Sequence, residues 1–377
     1  MTSLDKRVEN FAHGKTVFSA FFAEDFIHIA YTQYSMGMKK SFDGWLAMQR
    51  DMRPITRVKA HNVAEDDIKS LAREIKSHLK NNLSNFGGIC LVAPGPFDTI
   101  KRQDENYGKI SRFAPSGWKN QNIIKLLKEA LSSHTKGLDK RALFLLFNGP
   151  GAAAQGHYYA TENRDEIDFQ LNTPKLRGNY FHIIVDDLVH AALITRGKIL
   201  HGKSTLNVGH HAVLPIGEDI PPKCPIHPQR PCLNRFVSMA TLLERFHVER
   251  FEDITPLKID QDIYYKIVHE TAHYVAQMAA NVSLTTTPRR IVLGGRIAKL
   301  DGFDGYFRKA FGALLRTSEA GILYPGYEDL KNLNTMIEKQ IDVDCGVFGG
   351  LDLIVDKLNE TGPSDNVIYL QFRSKRS

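Results

Sequence analysis

Two hydrophobic periodicities take turns along this chain. Residues 17–33 (VFSAFFAEDFIHIAYTQ) predict two strands folding over a turn at Ala23–Asp25. From Ala64 to Phe86 the apolar positions Ile68, Leu71, Ile75, Leu79 and Leu83 recur in steps of three and four, which keeps one helical face apolar. Gly87-Gly88 then reads as the stop of that helix. A short buried strand, GICLVA, leads into a polar loop. A second helix (NIIKLLKEALSSH), a strand (ALFLLF) and the segment NGPGAAAQGHYYATEN follow. Alternation of this kind predicts sheets covered by helices, an α/β architecture.

The second half starts with hairpin-like strands. YFHIIVDDLVHAALITRGKIL reads as strand, turn at Asp186-Asp187, strand, and turn at Arg196-Gly197-Lys198. Residues 203–235 form an excursion rich in Pro, His and Cys, with little periodicity. Helices dominate from Phe236 to Thr287, followed by the strand RIVLGG and a helical C-terminal third. The sequence shows no internal repeat.

At 377 residues the chain is long enough for two domains. Hydrophobic residues at 42% and charged residues at 24% allow a sizeable core and exclude global disorder. The net charge of +7 is spread along the chain, so it gives little support to nucleic-acid binding. No apolar run approaches the ~20 residues of a membrane span, and no secretory signal is visible. Four cysteines do not make a disulfide framework, and a cytoplasmic protein is the plain expectation.

The strongest chemical signal is GHHAVLPIGEDIPPKCPIHPQRPC. His210, Cys224, His227 and Cys232 are spaced H-x13-C-x2-H-x4-C, with His211 as the alternative first ligand. Two thiolates and two imidazoles suit tetrahedral zinc, and C-x2-H lets neighbouring ligands reach one ion from a tight turn. Four protein ligands leave no open position, so the expected zinc is structural. A second pattern, His269-Glu270-Thr271-Ala272-His273, has the spacing of a zinc protease helix. No further ligand follows on an adjacent helix, and the pattern reads as polar positions on an ordinary helix.

Several segments together resemble the ROK family of sugar kinases, and most closely its fructokinase branch. They are Gly88-Ile89 through APGPFD (93–98), YGKI (107–110), GWKN (117–120), CPIHPQRPCLN (224–234), RRIVLGGRI (289–297) and CGVFGGLDL (345–353). The resemblance implies an actin-like (ribonuclease-H-like) two-lobed sugar-kinase fold with a central cleft and a zinc loop. It divides the chain into an N-terminal α/β lobe at 14–137 and a larger C-terminal lobe at 138–344, with the helix near 345–358 packing back on the first. A homodimer is implied as well. Only about 16 residues precede the first strand, too few for the helix-turn-helix of the family's repressors, so DNA binding is not expected. Asn148, Asn207, His210 and Asn234 fall at the family's sugar-contact positions, and Gly294-Gly295 at the turn near its nucleotide.

At the catalytic segments the chain departs from the family. Phe21-Phe22-Ala23-Glu24-Asp25 stands where a D-x-G-G-T phosphate loop is expected, and Asp186-Asp187-Leu188-Val189-His190 where G-T-G-x-G is expected. The base of N-D-x-N-A-A-A becomes Gly149 in Asn148-Gly149-Pro150-Gly151-Ala152-Ala153-Ala154; Asn207 and Asn234 replace two glutamates. A carboxylate ~4 Å from a phosphate charge costs ~4 kcal/mol at an effective dielectric of 20, so ATP-Mg binding in the family's pose is not expected. The leading expectation is a catalytically degenerate homologue that binds a sugar-like molecule or regulates. The first alternative is repurposed chemistry using Glu24, Asp25, Asp186, Asp187 and His190, acids and a histidine that the resemblance would gather towards one space. The bland counterpart is that turns favour Asp. The second alternative is an active ATP-dependent sugar kinase.

Overall fold

The computed structural model describes residues 11–23, 25–35, 56–95, 97, 106–111, 116–132, 137–165, 179–195, 198–200, 208–216, 223–316, 336–340 and 345–360. The chain divides into two compact units, Met1–Asn163 with Asp344–Ser377, and Arg164–Val343. In the first unit, β1 (Thr16–Phe22) and β2 (Phe26–Gln33) form the expected hairpin, and β3 (Thr56–Lys59) extends it. Strand β4 (Phe86–Ala93) adds parallel to β1, and β5 (Leu143–Asn148) adds parallel to β4. The order is β3-β2-β1-β4-β5.

Both faces of this sheet are covered, which is why every residue of β4 is buried. Phe18, Ala20, Ile89, Leu91, Phe144 and Leu146 pack on α1 (Ala64–His78) and α2 (Ile123–Ser132). The alternate residues Val17, Cys90, Val92, Leu143 and Leu145 pack on Val347, Leu351, Ile354 and Val355 of α8 (Cys345–Glu360). A period of two in the strands thus produces two separate cores.

Three features differ from the sequence reading. Helix α1 ends at His78, because Lys80 and Asn81 turn left-handed at φ 50° and 62°. Gly87-Gly88 therefore does not stop a helix. It lies inside β4, where a Cβ on Gly88 would sit 2.6 Å from the Leu143 carbonyl oxygen, so glycine lets β4 and β5 close up. Strand β5 belongs to the first unit, hydrogen-bonded to β4. Finally, the segment after β5 is a helix, α3 (Gly149–Asp165), begun by the Asn148 side chain, whose Oδ1 accepts the Gly151 N–H at 3.1 Å.

The second unit repeats the strand plan. Strands β6 (Tyr180–Val185), β7 (Val189–Thr195) and β8 (Lys198–Ile199) form an antiparallel meander. Strands β9 (Arg290–Gly294) and β10 (Ile337–Lys339) add in parallel, giving β10-β9-β6-β7-β8. The core joins Phe181, Ile183, Val189, Leu193, Ile291 and Leu293 to four helices. They are α4 (Asn234–Val237), α5 (Met239–Phe246), α6 (Gln261–Thr286) and α7 (Phe303–Leu315). No helix among the described residues is long and apolar enough to cross a membrane.

Candidate metal centre and adjoining turns

The Pro-rich excursion folds back on itself. Residues flanking the expected ligands pair antiparallel, with Ala212 opposite Cys232, Val213 N–H on the Pro231 carbonyl (3.1 Å) and Leu233 N–H on the His211 carbonyl (2.9 Å). Gln277 of α6 clamps the backbone of Leu214 with two hydrogen bonds, at 2.8 and 3.0 Å. Tyr274 Oη accepts the Ile216 N–H at 2.9 Å. The loop is thereby fixed to the helix that forms the floor of the core.

This architecture brings His210, Cys224, His227 and Cys232 together, with one ligand atom from each inside a 4.8 Å cluster. The cluster takes in His210 and not His211. Cys224 Sγ lies 3.6 Å from His210 Nδ1, and Cys232 Sγ lies 3.6 Å from His227 Nδ1. Zn–S bonds of ~2.3 Å and Zn–N bonds of ~2.0–2.1 Å at a tetrahedral angle require an S···N separation of roughly 3.6 Å. The residues fit zinc. The Cys224 Sγ also accepts the His227 N–H at 3.4 Å. Burial, with Cys224 beside it, pushes the Cys232 thiol up to about 11. Burial followed by His227 and Arg230 lowers His210, keeping its imidazole neutral and able to donate a lone pair. A metal would thus displace a proton from sulfur but not from His210.

The turn between β6 and β7 is tied to this loop. Asn234, two residues beyond Cys232, is buried and its Oδ1 accepts the Val189 N–H at 2.8 Å. The amide assigned by resemblance to a sugar hydroxyl is therefore engaged within the second unit. Asp186 and Asp187 do not form a bare negative patch. Arg296, just after Gly294-Gly295, donates from Nε to Asp186 at 2.6 Å and from Nη2 to Asp187 at 2.9 Å, and its guanidinium lies over Phe251 at 5.8 Å. The expected repulsion of a phosphate is reduced but not removed, because one guanidinium offsets one of the two carboxylate charges. Arg296 escaped the sequence reading; its position directly after a Gly-Gly turn was the available signal. His190 lies on β7, and burial pushes it down to about 4, with Asp186 opposing and His210 adding to the shift.

Gly294 and Gly295 have a packing reason. A Cβ on Gly294 would overlap Gln340 Oε1, and one on Gly295, at φ 93°, would overlap the Val185 carbonyl oxygen. Gly295→Ala is expected to destabilise the second unit by about 3 kcal/mol through strain and overpacking, measured by denaturant unfolding. A ligand response lost in that variant would then report misfolding.

In the first unit, Asp25 is exposed at the β1–β2 turn, where its carbonyl accepts the Ala60 N–H at 2.9 Å. Glu24 and Asn207 lie outside the described residues. Gly149 opens α3, and a Cβ there would lie 3.3 Å from Phe21 Cε2; one on Gly346 would lie 3.1 Å from Phe21 Cδ2. The Phe21 ring thus packs against the heads of both α3 and α8. The H-E-x-x-H residues are not a metal site: Glu270 is buried in ion pairs with Arg245 (2.9 Å) and Lys266 (3.8 Å), and His269 packs edge-on to Tyr306.

The ROK family model matches residues 177–324. The chain is 23% identical over 254 residues to a fructokinase of Lactococcus lactis subsp. cremoris, covering 66% of this chain and 73% of that protein. The ROK hexokinase of Thermus thermophilus superposes with a TM-score of 0.60 at 18% identity, over 91% of this chain and 99% of that one. A ROK glucokinase of Streptomyces griseus, solved with glucose and AMPPNP, gives 0.58 at 14% identity over 90% and 98%. These likenesses carry the fold. The match to the ROK family model falls on the second unit, the unit that also holds the four-residue Cys/His cluster.

Proposed function

We propose that this chain is a sugar-kinase homologue that has lost phosphoryl transfer and keeps the zinc-stapled fold to bind a sugar-like molecule or to regulate. The observation that carries this reading is the head of α3. The position that the resemblance gives to the catalytic base is Gly149, which cannot take a proton, and the neighbouring Phe21 ring fills the space beside it. A kinase must deprotonate the attacking hydroxyl and hold a polyanion. The turn that stands where the family's glycine-rich phosphate loop is expected further supports the loss, since its two acids are engaged in ion pairs with Arg296. The same pairs argue against Asp186 and Asp187 as free acid and base of a new reaction. A cytoplasmic homodimer belongs to the same proposal and is tested by light scattering of the purified protein.

The second reading, an active ATP-dependent sugar kinase, is favoured by the similarity to a fructokinase. One experiment separates the two. Purified zinc-loaded protein incubated with ATP-Mg and fructose, glucose, mannose or N-acetylmannosamine is expected to release no ADP above a protein-free control. Sugar-dependent turnover, saturable in both substrates, establishes the kinase reading instead.

A further inference from the structure

We propose that Asn234 couples the metal centre to the β6–β7 turn, so that the order of this turn follows metal occupancy. The amide of Asn234 touches both ligand-bearing arms of the loop. It is two residues from Cys232 on its own arm, and on the other arm it packs against Gly209, the residue before His210, so closely that a Cβ at position 209 would overlap it. Its Oδ1 holds the Val189 N–H, the first amide of β7.

The remaining hydrogen bonds extend this link to the turn itself. Met239 N–H, at the start of α5, donates to the Asp186 carbonyl at 3.3 Å, and Thr241 Oγ1 donates to the Asn234 carbonyl at 3.2 Å. Arg296 then clasps Asp186 and Asp187 from the β9 side. The turn is held by three supports, and two of them come from Asn234 and Met239, two and seven residues beyond Cys232.

Without metal the two arms stay joined by the Ala212–Cys232 bridge and its flanking backbone hydrogen bonds, but His210 loses its tie to Cys224, His227 and Cys232. Losing the metal releases His210, so Gly209 can shift against the Asn234 amide while Gln277 and Tyr274 still hold residues 214–216, and that shift reaches the acceptor of the Val189 N–H. A single buried acceptor facing a strand amide transmits such a shift because neither partner has water to replace the other. Arg296 does not depend on the loop, so β9 should hold while the turn loosens. This inference concerns the metal and the turn, and it stands whether or not the chain phosphorylates a sugar.

Hydrogen exchange of the full-length protein, read by mass spectrometry in overlapping fragments across residues 185–195, tests the link. Stripping zinc with a high-affinity chelator is expected to raise exchange at Val189 at least tenfold, with β9 unchanged, and adding back zinc alone should restore it. In Asn234→Leu, loaded with cobalt to verify an intact thiolate site from its absorption spectrum, Val189 should exchange fast with metal bound and no longer respond to chelation. Asn234→Asp keeps an acceptor oxygen and should keep the metal response. Should Asn234→Leu not fold, Asn234→Ala removes the same acceptor without bulk. The proposal is overturned if chelation opens residues 208–232 while Val189 stays protected. It is overturned equally if β9 loses protection in step with the turn, or if either acceptor-free variant behaves like the wild type.

Discussion

Zinc should copurify at about one equivalent per chain, and its removal should lower the stability of the second unit by about 3–5 kcal/mol, or a melting temperature by roughly 6–20 °C. Apart from the Gln277 and Tyr274 hydrogen bonds to residues 214–216, the segment that the metal closes is tied to the core at few points. Its two arms are joined by one isolated bridge and a few backbone hydrogen bonds, and its outer residues, Leu214 and Ile226 among them, are exposed. Its core contribution comes from Val208, Val213 and Leu233, which pack in the main cluster. Cys224→Ser or Cys232→Ser should reproduce most of the loss, because a hydroxyl does not replace the thiolate of a four-ligand site. His211→Ala should not, since the structure leaves that ring outside the cluster.

The pH dependence follows from the same groups. Without metal the Cys232 thiol is pushed up to about 11, above its usual 9.0, so its contribution to the metal-free fold is present below pH 9 and is lost as pH rises through 11. With metal the sign reverses, because zinc must displace that proton. The difference in stability between zinc-loaded and stripped protein should therefore grow as pH rises from 6 to 9, and calorimetric scans of both forms across that range measure it. A difference that shrinks with rising pH would mean that sulfur does not ligate the ion.

The quartet was legible because its ligands are close in sequence and their spacing is itself the chemistry. His210 to Cys232 form one local loop, and six prolines narrow the ways it can close. Other features depend on partners far along the chain. Arg296 is 110 residues from Asp186, so the two acids read as unpaired until β6 and β9 align in parallel. Helix α3 was hidden because Gly149-Pro150-Gly151 looks like a loop, although Asn148 as cap and proline in the first turn are start signals. The matching strand plans of the two units have no counterpart in a sequence repeat, since order and direction are set by which edges remain free for pairing. Glycines were the least legible residues. Gly88, Gly294 and Gly295 look like turn or phosphate-loop residues in sequence, and each instead relieves a close approach of backbone or side chain.

The second large effect concerns such glycines in the first unit. Gly349→Leu is expected to unfold the α3–α8 layer, and even Gly349→Ala should cost about 2–4 kcal/mol. A Cβ on Gly349 would overlap the Ala152 carbonyl oxygen of α3, and one on Gly156 would overlap the Cys345 carbonyl oxygen of α8. The two helices meet backbone to backbone, so no rotamer change can absorb an added methyl. Relief requires moving α8, whose Val347, Leu351 and Ile354 cover Val17, Cys90 and Leu143 of the sheet, and that movement would open a cavity in a closed core. The shift should also release Phe21, which packs on Gly149 and Gly346 at the heads of the same helices. Gly305→Ala in α7 is the matched control: nothing lies within 4 Å of its Cβ, and the change should stabilise the second unit by about 0.5–1 kcal/mol. Equilibrium denaturation of the two alanine variants measures both signs. Equal, small effects at Gly349 and Gly305 would show that α3 and α8 do not cross in contact, and would remove the packing account of the C-G-V-F-G-G segment.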